Sequence, residues 1–139
     1  MHNQIDSRWA RHHLYLQTVP GKGTGVFCKE FIKEGELIEL CPTIKVPVEH
    51  SKAVQDCILD KYFYVRKDHG VSAVLGFGML YNHSYCPNAN FVWDSEENWV
   101  EIVALKDIEP GHEIVFNYWG DPACQDPMWF ENVVDEKRP

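Results

Sequence analysis

The stretch LYLQTV (14–19) alternates apolar and polar side chains closely enough for a β-strand, and Pro20-Gly21, followed by Gly23 and Gly25, interrupts it before VFCKEF resumes an extended pattern. Two strands are predicted here, with the glycines in their connection. FIKEGELIEL and DIEPGHEIVF share one spacing, Ile32-x-x-Gly35-x-x-Ile38 and Ile108-x-x-Gly111-x-x-Ile114, so each predicts a strand, a glycine corner and a strand. NFVWD and NWVEIVAL predict a hairpin across the polar turn Ser95-Glu96-Glu97-Asn98, with Trp93 and Trp99 near its ends. The helical signal is confined to one place. Ser51 is a candidate cap for a short helix with Ala53, Val54, Cys57 and Ile58 on one face, running on towards Tyr62. After Gly120 the tail has no periodicity. Residues 12–120 therefore predict one mostly-β unit, followed by a tail at 121–139.

At 139 residues, 45% of them apolar, the chain holds enough material for one domain (1–139) with its own core. Its start, Met1-His2-Asn3-Gln4, has no basic and apolar leader pattern, and no apolar run approaches the roughly 20 residues that span a bilayer. An intracellular protein, cytoplasmic or nuclear, without membrane association is expected. The five cysteines, at 28, 41, 57, 86 and 124, form no Cys-x-x-Cys pair, which disfavours a disulfide framework and a structural zinc knot. His83-x-x-Cys86 and His12-His13 have no matching second pair, so no metal is expected. A formal charge of −8 argues against direct nucleic-acid binding and suits a basic partner. Asp94, Glu96, Glu97, Glu101, Asp107, Glu109 and Glu113 face only Lys106 in the stretch 94–113, although such a run also serves as an ordinary solubilising surface.

Four motifs carry candidate chemistry. PGKGTGVF misses the spacing of both phosphate-loop patterns, but Gly21, Gly23 and Gly25 expose backbone that a ligand can approach; a tight turn is the ordinary alternative. In NHSYCPN, Asn82, His83 and Asn88 offer donors and acceptors beside the rigid Pro87, where self-satisfied Asx-turns are the ordinary alternative. KYFYVRK and GHEIVFNYWGD set Tyr62 with Tyr64, and Phe116 with Tyr118, two residues apart, so each pair leaves an extended chain on one face. Taken singly, such aromatic pairs usually mean core.

Together, and in this order, the glycine loop, Asn-His-Ser with Pro-Asn, and Glu-Ile-x-Phe-x-Tyr resemble the SET-domain protein-lysine methyltransferases from about Val19 to Trp119. YVRK and LGFGMLYNHS are most similar to the small stand-alone viral and bacterial members. The resemblance implies a β-rich fold of several small sheets, with the Asn-His-Ser and Tyr118 segments forming a pseudoknot. It implies S-adenosyl-L-methionine as cofactor, held by Lys22, Gly23, Thr24, Gly25, Asn82, His83 and Tyr118, with Trp129 of the tail as a further contact. Tyr118 would be the catalytic tyrosine. Tyr62, Tyr64 and Phe116 would line the lysine channel, Phe116 limiting how many methyl groups fit. The implied acceptor is a lysine in a basic protein such as a histone tail. Departures are FNY for the usual Phe-Asp-Tyr, His112 at a common acid position, and Cys124 alone where relatives carry a zinc segment, so Trp119, Trp129 or Phe130 would have to close the site. A non-catalytic module reading lysine-rich or methyl-lysine peptides would carry similar rings, and an enzyme for a small amine is a third reading. Whether the protein forms a homodimer is left open.

Overall fold

The computed structural model describes residues 12–128. Among these, nine strands and one short helix follow in the order β1 (Leu14–Val19), β2 (Gly23–Cys28), β3 (Leu37–Val46), α1 (Ser51–Gln55), β4 (Tyr64–Val65), β5 (Val71–Val74), β6 (Asn82–His83), β7 (Ala89–Trp93), β8 (Trp99–Ala104) and β9 (Glu113–Phe116). They make a four-stranded sheet, β1-β2-β9-β6, and a five-stranded sheet, β4-β5-β3-β8-β7. None of the described helices is long and apolar enough to cross a membrane. All five cysteines are free thiols.

The strand predictions hold with two corrections. The connection between β1 and β2 is only Pro20 to Lys22, closed by Lys22 N–H on the Val19 carbonyl at 3.0 Å, and Gly23 and Gly25 belong to strand β2 itself. Packing explains the second of these. A Cβ at Gly25 would lie 2.4 Å from Glu113 Oε2, 2.8 Å from Val19 Cγ2 and 3.0 Å from Asn82 Nδ2, so only glycine lets these elements close up.

The two glycine corners meet each other. Ile32 and Ile108 form an antiparallel bridge through reciprocal hydrogen bonds of 2.9 and 2.8 Å, and Gly35 and Gly111, at φ +85° and +81°, take the left-handed turn that starts β3 and β9. The segment before each corner is thus a single bridge residue rather than a strand. Ile32, Ile38, Ile108 and Ile114 are all buried, and each such side chain contributes about 1.5–3 kcal/mol by leaving water. The hairpin of β7 and β8 forms across the expected turn, with Trp93 opposite Val100 and the Asp94 carboxylate accepting N–H groups of Asn98 and Trp99.

The helix starts as expected, but not for the expected reason. Ser51 is its first residue, makes no capping bond through its side chain, and follows the 3-10 turn Val48–His50, which its backbone N–H closes on the Val48 carbonyl. None of its residues is buried, and Ile58, predicted on an apolar face, is 78% exposed. Five residues provide too little length for that face to reach the sheets; a second 3-10 turn, Ile58–Lys61, carries the chain to Tyr62 instead.

Candidate active site

Strand β9 is the junction. It pairs antiparallel with β2, through Val26 with Ile114 and Phe27 with Glu113, and parallel with β6, through Asn82 with Val115 and His83 with Phe116. A two-residue strand pairs weakly alone, and Asn88 reinforces it: its Nδ2 donates to the Glu113 carbonyl at 2.8 Å and its Oδ1 accepts from Val115 N–H at 2.9 Å. Asn88, a candidate for ligand contact from its type, is thereby occupied with the backbone of β9. Asn82 donates through Nδ2 to Glu113 Oε2 at 2.7 Å and to the Thr24 carbonyl at 3.3 Å. Lys22 Nζ donates to the His83 carbonyl at 3.2 Å. The glycine strand, Asn-His-Ser and the end of β9, far apart in sequence, are one hydrogen-bonded unit.

Tyr118 connects this unit to a cleft. Its backbone N–H donates to His83 Nδ1 at 3.1 Å, so a neutral His83 ring carries its proton on Nε2. Its hydroxyl donates to the Tyr81 carbonyl at 2.5 Å. Burial, then the neighbouring Tyr62 and Glu113, push the phenol's pKa well above its ordinary value, so Tyr118 stays neutral at physiological pH.

Tyr118 also lines a cleft of about 970 Å³, together with Tyr62, Tyr64 and Phe116. Phe116 is 1% exposed and packs against Tyr81, Phe91, Tyr118 and Tyr64, with ring centroids at 5.4, 5.1, 5.8 and 6.2 Å. Tyr64 meets Phe91 and Trp93 edge-on at 5.0 and 6.0 Å, and its hydroxyl donates to the Gly78 carbonyl at 2.6 Å. Tyr81, Phe91 and Trp93 also line the cleft and were missing from the sequence-based set. Phe91 and Trp93 had a signal, being two apart on β7 and so on one face. Asp60 and Asp121 at the cleft wall carry two negative charges against the one positive charge of Lys61, which also lines it.

The remaining predicted residues fall as follows. Gly23 and Thr24 are exposed, and Gly23, at φ +83°, has nothing within 4 Å of where a Cβ would be, so a ligand could lie against its backbone. Trp129 lies outside the described residues, as does Phe130. The described part of the tail, 121–128, is docked beside His83: Tyr85 Oη and Trp119 Nε1 donate to the Asp126 carbonyl at 2.8 and 3.1 Å, Asn117 Nδ2 donates to the Cys124 carbonyl at 2.7 Å, and the Tyr85 ring stands edge-on to His83 at 4.5 Å. Away from the cleft, His12, Cys28 and Glu30 lie close together, with His12 Nδ1 3.1 Å from Glu30 and Nε2 3.2 Å from Glu36, as in a carboxylate-flanked imidazole.

Comparison with known proteins agrees with this architecture. The SET domain family model matches residues 23–119. A histone-lysine N-methyltransferase of Schizosaccharomyces pombe, specific for H3 lysine-37, is 28% identical over 123 residues, covering 88% of this chain and 80% of that protein. A Plasmodium falciparum protein described as a candidate histone methyltransferase has a crystal structure that superposes with a TM-score of 0.60 at 31% identity, over 76% of this chain and 91% of that one. A structure bearing on the product specificity of histone lysine methyltransferases shares the fold, with a TM-score of 0.70 at 20% identity over 88% of this chain and 57% of that one. The chain belongs to the SET-domain family of protein-lysine methyltransferases.

Proposed function

We propose that this protein transfers methyl groups from S-adenosyl-L-methionine to the side-chain amine of lysine in a basic protein such as a histone, acting inside the cell. The observation that carries this reading is the double membership of Tyr118: its backbone is bonded to His83 on the glycine-strand side, while its ring lines the aromatic cleft. A cofactor held on one side and a lysine entering from the other would meet at this residue.

The groups present suit that cofactor. The open backbone at Gly23 and the polar set of Lys22, Thr24, Asn82 and His83 fit an amino acid and a purine, and the aromatic rings fit a cationic sulfur. When bound, S-adenosyl-L-methionine supplies an electrophilic methyl group. The protein must then present lysine as a neutral amine. With an ordinary pKa of about 10.4, neutralising it at pH 7 costs about 4.6 kcal/mol. Walls of Tyr62, Tyr64, Phe116 and Tyr118 would meet part of that by desolvation, which disfavours the ammonium over the amine, and Asp60 and Asp121 would draw a basic segment to the cleft. Tyr118, neutral and already donating its proton, would offer its oxygen as a fixed dipole rather than an acid. Positioning is the main catalytic contribution.

The test is transfer of labelled methyl from S-adenosyl-L-methionine to histones and to a mixture of basic proteins, with the modified residue located by mass spectrometry. Label on lysine is expected. Binding of methyl-lysine peptides with no transfer to any acceptor would favour the non-catalytic reading.

A further inference from the structure

The most buried carboxyl among the described residues lies outside the chemistry described so far. Glu39 is 1% exposed in the middle of apolar neighbours, at a β-bulge of β3 where the register against β8 shifts between Leu37 and Glu39. The bulge turns two consecutive side chains, Ile38 and Glu39, inward where a regular strand would bury only one. A lone buried carboxyl is costly, yet this one has partners: Phe77 N–H donates to Oε2 at 3.0 Å, the Tyr81 hydroxyl to Oε1 at 2.8 Å, and Cys41 makes a further side-chain hydrogen bond. Burial still raises its pKa.

Two of those partners, Phe77 and Tyr81, belong to the segment 77–81, which Glu39 grips at both ends. Tyr81 is itself 1% exposed, lines the cleft, and supplies the carbonyl that receives the Tyr118 hydroxyl. A phenol that has given its proton to a carbonyl presents its oxygen to other groups only as an acceptor. The placement of that carbonyl therefore sets which way the Tyr118 oxygen faces. A sequential chain of bonds runs from Glu39 through the Tyr81 ring to the Tyr81 backbone and on to Tyr118.

We propose that Glu39 is a positioning residue for the Tyr118 hydroxyl, acting through Tyr81. This rests on the reading of Tyr118 as the tyrosine at the reacting centre. A carboxyl placed only to fill the core would affect stability and leave the Tyr118 hydroxyl as it was.

Two substitutions test it. Tyr81→Phe keeps the ring and the backbone carbonyl and removes only the bond to Glu39; Glu39→Gln keeps the shape and an acceptor. Tyrosine labelled at the hydroxyl-bearing ring carbon is followed by NMR, the Tyr118 signal being assigned from Tyr118→Phe, and methyl transfer is measured alongside. The Tyr118 signal is expected to move in both variants, with kcat lower by about tenfold to a hundredfold, as for a catalytic group slightly misplaced, and KM for the acceptor changed by no more than about twofold. Should Glu39→Gln fail to fold, Tyr81→Phe decides the matter alone. A folded Tyr81→Phe whose Tyr118 signal and kcat both match the parent protein overturns the proposal. If the parent protein itself transfers no methyl to any acceptor, the proposed function fails, whereas the Tyr118 signal still decides what Glu39 does.

Discussion

The backbone N–H of Tyr118 donates to His83 Nδ1 at 3.1 Å, and through this bond two segments 35 residues apart hold one ring at the boundary between a polar cradle and an aromatic cleft. Because β6 and β9 are only two and four residues long, side chains such as His83 and Asn88 supply much of what fixes their alignment.

Replacing Tyr118 by Phe removes the hydroxyl and its bond to the Tyr81 carbonyl while keeping the ring in place. Stability should fall by only about 1 kcal/mol, the usual net worth of one hydrogen bond. Methyl transfer should fall by about 10²–10³-fold, as when an enzyme loses one preorganised dipole. Thermal melting and labelled-methyl assays measure the two effects separately.

Gly25→Ala and Gly23→Ala should behave differently although they lie two residues apart. At Gly25 the added methyl would collide with Glu113, Val19 and Asn82, for which overpacking predicts a loss of about 1–3 kcal/mol and a weakened Asn82–Glu113 contact. At Gly23 there is open space, and only the positive φ opposes alanine, at a cost of about 1 kcal/mol. Denaturant melts of both variants give the comparison; equal losses would contradict it.

The alkaline limb of stability follows from the buried phenols. Tyr64, Tyr81 and Tyr118 all have pKa values raised above the ordinary tyrosine value of about 10, burial being the first cause in each. With folded values above unfolded ones, their contribution is fully present below about pH 10 and is lost as pH rises further, because the unfolded chain ionises first. The melting temperature should therefore decline above pH 10. Methyl transfer should instead climb on approach to that range, as more of the acceptor lysine is neutral, without an earlier fall from ionisation of Tyr118. A pH profile of rate and melting temperature together provides the check.

Phe116 has no hydroxyl to hold a water where further methyl groups would go, and its ring is enclosed by Tyr64, Tyr81, Phe91 and Tyr118. Products beyond monomethyl-lysine are expected. Phe116→Tyr would place a hydroxyl among these rings, shift the products towards fewer methyl groups, and cost about 1–3 kcal/mol if the new group finds no partner. Mass spectrometry of the product states reads the first effect directly.

Sequence alone determined the strands whose signal is local. Alternation marked β1, β7 and β8, and the repeated Ile-x-x-Gly-x-x-Ile spacing marked both corners, because a period of two and a left-handed turn leave their mark within a few residues. It also led to the family, since the three separated motifs occur in one order. Tertiary structure alone decided what those motifs do to one another. Gly25 reads as a loop residue until Glu113, Val19 and Asn82 surround it. Asn88 reads as a ligand contact until it replaces a strand neighbour for β9. Glu39 carries no local sign of its role until the bulge turns it inward beneath Tyr81. In each case the deciding partner lies 25 or more residues away or the register slips by one, and neither event changes the pattern of polar and apolar side chains around the residue.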